Sequence, residues 1–314
     1  MEGLLLQEIS IEGQAISRSM VVLLRYWETL EATSPSVELH IDDPARELDS
    51  IPTQATLSLT LALDADREKA QKESEVIQQN FTILRKRSSP DHQNRHVFIA
   101  IREDAMELLL KTQILLPSAT PKEVFSKAMP AARVTVGPAL PAVPFHCLHE
   151  RPVVALQRYL SEMGCGIYSD RSGLVVEELT KLMKQRPDCE FFDAETTATH
   201  VLLKLTRLSE DFLSKELHRR QPFGFDVAEG VNEIETPPDH RQLPNELVRR
   251  KATVAVVPSL DFQSPLTLKF KAGSVIHVND DPYLVSRACW QVHQEQGLVR
   301  VLAAKLYDHK GELG

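Results

Sequence analysis

MVVLLRYWETLEATSPSVELHIDDPARELDSIPTQATLSLTLAL, residues 20–63, reads as three strands interrupted by one acidic, proline-punctuated turn. From Val37 the apolar residues fall at Val37, Leu39 and Ile41 and alternate with Glu38 and His40, the period of a half-buried strand. Asp42-Asp43-Pro44 ends that strand, because proline cannot donate to a ladder and Asx side chains favour local turns. Arg46 to Ser50 leaves room for about one turn of helix, which Pro52 closes. Leu57, Leu59, Leu61 and Leu63 then resume alternation against Ser58, Thr60 and Ala62. Antiparallel sheet with one polar face follows from this pattern, and nothing in it suggests chemistry.

Working outward, Leu4–Glu12 and Val21–Glu31 read as strands ahead of the second and third of this run, Val37–Ile41 and Thr56–Leu63. Asp64 to Gln79 is a charged insert, either a short exposed helix or a loop. Phe81–Lys86 and His96–Ile101 pair across the long polar loop RSSPDHQN, and 102–112 ends as a short helix. The texture changes after residue 113. Thr120-Pro121-Lys122-Glu123 combines a Thr N-cap, Pro at the first helical position and Glu at N3, a capping box for a helix to about Met129. Pro138, Pro141 and Pro144 stiffen an extended connection. Arg151–Met163 predicts a helix with Val153, Leu156, Leu160 and Met163 on one face and Gly164 as its C′ residue. Cys165–Ser169 and Leu174–Glu178 predict a hairpin across Asp170–Gly173, although Leu174–Lys184 also fits a helical period. Strand first and helix later is the preferred order.

Val201–Leu208 reads as a strand, and Phe223–Asn245, rich in proline, glycine and acid, as a surface loop. Ala252–Val257, Leu266–Lys271, Ser274–Val278, Tyr283–Trp290 and Leu298–Leu306 are β again, with turns at Gly273, Asn279-Asp280-Asp281 and Gln294–Gly297. The fold class is therefore α+β and β-rich. A β unit spans 1–113, an α/β connecting unit 114–200, and a second β unit 201–314 that has room for a discontinuity.

Composition is that of a globular chain, 42% hydrophobic and 25% charged over 314 residues. Aromatic residues make up 6%, which argues against a carbohydrate- or base-stacking surface. The net charge of −8 disfavours a generic nucleic-acid or anionic-membrane binder. No apolar run approaches the ~20 residues of a membrane span, so no membrane insertion is expected. Glu2 stands where a signal peptide needs a base. Four scattered cysteines without a CxxC read as reduced thiols.

The candidate chemistry is thin. His146-Cys147-Leu148-His149-Glu150 holds three zinc-competent residue types, but no second knuckle answers it, and on a strand 146 and 149 face opposite ways. A polar strand end with a buried cysteine is the preferred reading, and the same residues offer no sign of an activated thiolate. Asp64, Asp66, Glu68 and Asn279-Asp280-Asp281 lack EF-hand spacing and read as solvated turns. No GxGxxG, GxxxxGK[ST] or GxSxG occurs. Asp170/Arg171 and Glu177-Glu178 are better explained by a hairpin turn and a charged face than as catalytic carboxylates. Arg85-Lys86-Arg87 and Arg249-Arg250-Lys251 are short basic clusters, read as strand ends or as contacts to an acidic neighbouring subunit. The expectation is a non-enzyme with no catalytic, cofactor-binding or metal residues and no cofactor.

With catalysis thin, the order of elements carries more weight. ISIEGQAI (9–16), then Tyr26-Trp27-Glu28-Thr29, Asp42-Asp43, Glu47-Leu48 and Ile51-Pro52, resembles the start of the central hub proteins of contractile-phage baseplates and of the related VgrG spikes. Thr53-Gln54 stands where that family usually has glycine. FTILRKR (81–87) with HVFIAIREDAMELLLKTQ (96–113) is similar to its paired strands. Pro152–Tyr168 into SDRSGLVVEE (169–178) looks like its helix, aromatic strand and hairpin. AGSVIHVNDDPYLVSRACWQVHQEQGLVRVLAAKL (272–306) resembles its closing barrel.

The resemblance implies two tube-type antiparallel β-barrel domains joined by the α/β middle region. Three subunits would form a pseudo-sixfold ring, a homotrimer between the hexameric tail tube protein and a spike or tail-tip protein, beside other baseplate proteins. DNA would pass through an acidic lumen without specific binding, and the protein would belong to the virion tail baseplate after assembly in the bacterial host cytoplasm. Two other readings stand beside this one. A VgrG-like component of a bacterial injection machine normally continues into a long spike, whereas this sequence stops at Gly314, which favours a hub with a separate spike. A baseplate-associated cell-wall hydrolase would need an inserted domain with an acid/base pair, and none is visible.

Overall fold

A computed structural model describes residues 4–63, 76–89, 92–110, 113–137, 142–148, 150–170, 173–191, 204–207, 255–265, 270–293, 296–308 and 311–313. The opening stretch forms β1 (Leu4–Ile11), β2 (Gln14–Ala15), β3 (Val21–Thr29), β4 (Ser36–Asp42) and β5 (Thr56–Leu63). Burial follows the alternation: Val37, Leu39 and Ile41 are inside, as are Leu57, Leu59 and Leu61. Arg46–Ser50 is not the expected helical turn. Successive i→i+3 bonds run Arg46 to Asp43, Asp49 to Arg46 and Ile51 to Leu48, with Arg46 at φ 58°, a left-handed conformation that breaks any helix.

β6 (Val76–Ser89) and β7 (His92–Arg102) run longer than the expected pair. Most of the polar loop is strand, because Arg87 and Ser88 pair with Val97 and His96. Residues 64–75 of the charged insert lie outside the described residues. A 3-10 segment, Glu103–Leu109, follows, and Arg102 caps it without a side-chain bond.

The middle region holds β8 (Ile114–Ala119), α1 (Pro121–Ala128), β9 (Val134–Val136), β10 (Val143–Cys147), α2 (Pro152–Glu162), β11 (Cys165–Asp170), β12 (Gly173–Glu178), α3 (Leu179–Met183) and β13 (Cys189–Phe191). Its signals act locally. Thr120 Oγ1 accepts from Glu123 N, while Glu123 Oε2 accepts from Thr120 N at 2.7 Å, closing the capping box. Gly164 takes φ 65° after α2, and strand does precede helix across 173–183. A separate core forms here, with Phe145 edge-on to Tyr159 at 5.4 Å.

β14 (Lys204–Arg207), β15 (Ala255–Pro265), β16 (Val275–Val278), β17 (Asp281–His293), β18 (Gln296–Asp308) and β19 (Gly311–Leu313) complete the chain. Asn279 and Asp280, at φ 53° and 69°, make the two-residue turn between β16 and β17. The expected surface loop 223–245 and the cluster Arg249-Arg250-Lys251 lie outside the described residues.

The β, α/β, β order is present, but its connectivity differs from two separate barrels. Strands of the first and last thirds share one 14-stranded sheet, whose main path is β14-β15-β18-β17-β3-β4-β7-β6-β5-β1-β2. Among the described residues this path does not close on itself. The seam is the antiparallel pair β3–β17, in register from Thr29 opposite Arg287 to Leu23 opposite His293. One core crosses it, from Ile9 and Leu57 through Tyr26 and Trp290 to Phe262 and Val301. Tyr26 packs against Trp290 at 5.5 Å and edge-on to Phe81 at 6.3 Å. Sequence periodicity could not show this, since it reports which face is buried but not which distant strand lies alongside.

Candidate interaction surfaces and a polar cleft

On the outer face of the seam, cross-strand neighbours form a polar ladder. Arg25 Nε donates to Gln291 Oε1 at 3.3 Å and Arg25 Nη1 to both oxygens of Glu38 at 3.2 Å, while His40 Nε2 lies 2.7 Å from Glu38. Burial pushes the Glu38 carboxyl up, but the His40 hydrogen bond and the Arg25 charge together bring it below its ordinary value.

The acidic turn is pinned from three sides. Asp43, fully buried, accepts from Glu47 N at 3.1 Å and Leu48 N at 2.7 Å. Lys86, from the basic cluster, donates to Leu48 O at 2.6 Å and Asp49 O at 2.7 Å. His96 Nε2 lies 3.1 Å from Asp49 Oδ1 and 3.6 Å from Asp43 Oδ2. Asp43, Asp49 and His96 are the group of possible metal ligands that comes together among the described residues. Both oxygens of Asp43 already accept backbone N–H groups, so the arrangement reads as a loop fastener.

The His146–Glu150 segment is held by an ion pair. Arg158 Nη1 donates to Glu150 Oε2 at 3.2 Å, and its Nη2 reaches the His146 carbonyl at 3.4 Å. Cys147 is buried; burial and the Glu150 charge push its thiol up, the reverse of an activated thiolate. His149 lies outside the described residues. Glu177 is buried, with Lys181 at 2.8 Å, and Asp170 stands at the hairpin end. All four cysteines are unbridged and buried.

A cleft of about 760 Å³ opens beside the seam. Tyr26, Glu28 and Trp290 are its sheet wall, Val76–Asn80 of β6 a second, and the segment from Arg102 to Glu107 a third. The middle region closes it with Arg133, Asp170 and Gly173, and Lys271 enters from the last third. Gly173, at φ 145°, lies so close to the Arg133 carbonyl that a Cβ would collide with it, so glycine is required there.

Glu28 shares the inward face of β3 with Leu24 and Tyr26 and is only 6% exposed. Tyr26 Oη donates to Glu28 Oε1 at 3.2 Å. Burial raises the Glu28 pKa to about 7, although Lys271, Tyr26 and the Ala272 backbone N–H favour its charged form. Arg102, 5% exposed, donates through Nε to Asp104 and through Nη1 to the Ser34 carbonyl at 3.3 Å. Glu28 Oε2, Arg102 Nη2 and Glu107 Oε2 are buried and make no hydrogen bond among the described residues. In the sequence Glu28, Arg102 and Glu107 stand only within segments that carry the family resemblance and have no site role, though a carboxylate in phase with Leu24 and Tyr26 was a signal for Glu28.

No protein family and no curated protein sequence matches the chain. Solved structures do. The 43 kDa tail protein of prophage MuSo2 from Shewanella oneidensis superposes with a TM-score of 0.62 at 11% identity, over 99% of this chain and 100% of that one. The chain has the fold of phage tail proteins. A tail protein from Neisseria meningitidis MC58 matches with a TM-score of 0.56 at 10% identity, over 96% of each chain. An E. coli type VI secretion component, described as similar in structure to the bacteriophage T4 tail proteins gp27 and gp5, matches with a TM-score of 0.54 at 13% identity, over 96% of this chain and 78% of its own. The tail-protein fold thus extends across the seam, the middle region and the last third together. Among the described residues no helix is long and apolar enough to cross a membrane.

Proposed function

We propose that this chain is a structural hub of a contractile-tail baseplate, acting by assembly and not by catalysis. The supporting observation is the fold shared end to end with the Shewanella tail protein, over 99% of this chain. On this reading the strands on either side of the β3–β17 seam correspond to two tube-type domains, within 1–113 and 201–314, and residues 114–200 connect them. Three copies form a pseudo-sixfold ring between the tail tube protein and a spike or tail-tip protein, within the virion baseplate. The sheet path ends at β14 on one side and at β1–β2 on the other. A closed ring of copies would cover such ends, which otherwise invite uncontrolled pairing. A net charge of −8 suits a conduit that DNA traverses without sticking. The likeness to the E. coli type VI component supports a second reading, a VgrG-like part of a bacterial injection machine.

Light scattering on the purified protein, alone and mixed with a tail tube protein, tests the assembly. A species of three times the chain mass that binds the tube protein is expected. A strict monomer that never joins a ring overturns the hub, and muralytic activity would shift the reading to a hydrolase.

A further inference from the structure

The outer face of the sheet differs in charge from the rest of the molecule. The core lies on one side of β3, β4, β7 and β17, so the residues that alternate with the core positions face away from it. Among the described residues of this face between β15 and β6, three arginines are matched: Arg25 with Glu38, Arg95 with Asp42 and Arg300 with Asp261. Three more are not. Arg85 continues the cross-strand row of Ile99, Glu38 and Arg25, Arg87 continues the row of Val97 and His40, and Arg287 pairs with Thr29 across the seam. All three are exposed, and no acid among the described residues pairs with them. Lys86, between the first two, is occupied by the carbonyls of the acidic turn. Six arginines against three carboxylates leave this face with a surplus of three positive charges, in a chain whose formal net charge is −8. Arg85 and Arg287 stand four strand spacings apart, about 19 Å. A single small anion does not span that gap; a polymer of charge does.

We propose that this face contacts the phosphate backbone of double-stranded DNA, weakly and without reading its sequence. The proposal rests on the hub reading, which brings DNA through the assembly, and it names the surface that the DNA meets. Arginine forks pair with phosphate oxygens, and a duplex supplies such oxygens along its whole length. Contacts of this kind carry no sequence information directly. Glu38, Asp42 and Asp261 cancel half of these arginines, and the acidic remainder of the chain repels DNA elsewhere, so the contact guides a duplex without holding it. An acidic protein surface is the rival occupant. Against it, the free arginines are spread across the sheet, whereas a protein contact concentrates its energy in a few central, well-packed residues.

Fluorescence anisotropy of a labelled duplex of about 20 base pairs, titrated with the full-length protein between about 25 and 200 mM salt, is the direct test. Binding that weakens with salt is expected, with log K falling against log salt at a slope of about −2.7 or steeper, the share of three phosphates at about −0.9 each. Arg87→Gln should lower the slope by about 0.9, and the triple variant Arg85→Gln/Arg87→Gln/Arg287→Gln should remove the salt-dependent binding. These side chains are exposed, so the variants keep the fold, checked by an unchanged urea transition. Two duplexes of unrelated sequence should bind alike. No binding at the lowest salt, a slope near zero, a triple variant that binds like the original, a sequence preference above roughly tenfold, or tighter binding of polyglutamate than of DNA each overturns the assignment. Light scattering on the same samples keeps the two readings apart: a trimer that ignores DNA refutes this proposal alone, and a monomer that binds with the expected slope refutes the ring alone.

Discussion

The sheet that crosses the seam and the α/β middle region are built by opposite rules. In the middle, neighbours in sequence are neighbours in space: a capping box opens α1, Gly164 closes α2, and β11 and β12 are joined by a tight hairpin. In the sheet, the decisive partners are remote, Tyr26 opposite Trp290 and Ser36 opposite Ile101. One core spans the first and last thirds, while the middle has its own. The two β units therefore share a core directly, and the middle region is tied to them through a smaller cluster in which Leu179 and Leu182 meet Leu30, Leu284 and Leu306.

Paired truncations put that difference to the test with the largest expected effect. Phe98 and Phe145 are each at most 2% exposed, one in either core. Phe98→Ala should cost about 3–5 kcal/mol in urea denaturation and shift the transition of the whole sheet, seen through Trp290 fluorescence. Phe145→Ala should cost a similar amount but leave the Trp290 signal to melt later than far-UV helix signal. Coincident transitions in both variants would merge the two regions into one cooperative unit.

A smaller effect, of roughly 3 kcal/mol, is expected from pH at Glu28, where the two regions meet. Its folded pKa of about 7 lies above the ordinary 4.5, so between those values the native state holds more protons than the unfolded chain. Stability from this group is full below the lower value and is lost as pH rises through the upper. Glu28→Gln should remove that loss, read as the difference in urea stability between pH 5 and pH 8. An unchanged pH slope in the variant would place the titration elsewhere.

The smallest effect tests the local rule in the middle region. Thr120→Ala removes the capping box and should cost about 1 kcal/mol, with no change in the Trp290 transition. A shift in that transition would mean that the end of α1 is coupled to the sheet.

Much of this was readable in the residues. Alternation at Val37–Ile41 and Leu57–Leu63 placed strands and faces, and Thr120-Pro121-Lys122-Glu123 placed a helix start, because each signal acts within a few residues. The extension of β6 and β7 toward their shared turn was missed, since its residues are polar on both faces and register there comes from the partner strand. The seam was missed because a pairing over so long a separation leaves no mark in period or composition. The cleft was harder still: its walls come from seven separated stretches, and only the inward phase of Glu28 hinted at it.

The seam also sets a timetable for synthesis. Trp27 leaves the ribosome long before its partner Cys289 exists. At ~5–20 residues per second, β3 spends on the order of tens of seconds with one flank of unpaired N–H and C=O groups. A strand that ends up in the interior of the sheet thus begins life as an edge. A nascent-chain chaperone, or crowding by sister chains on one message, would act on β3 during that interval.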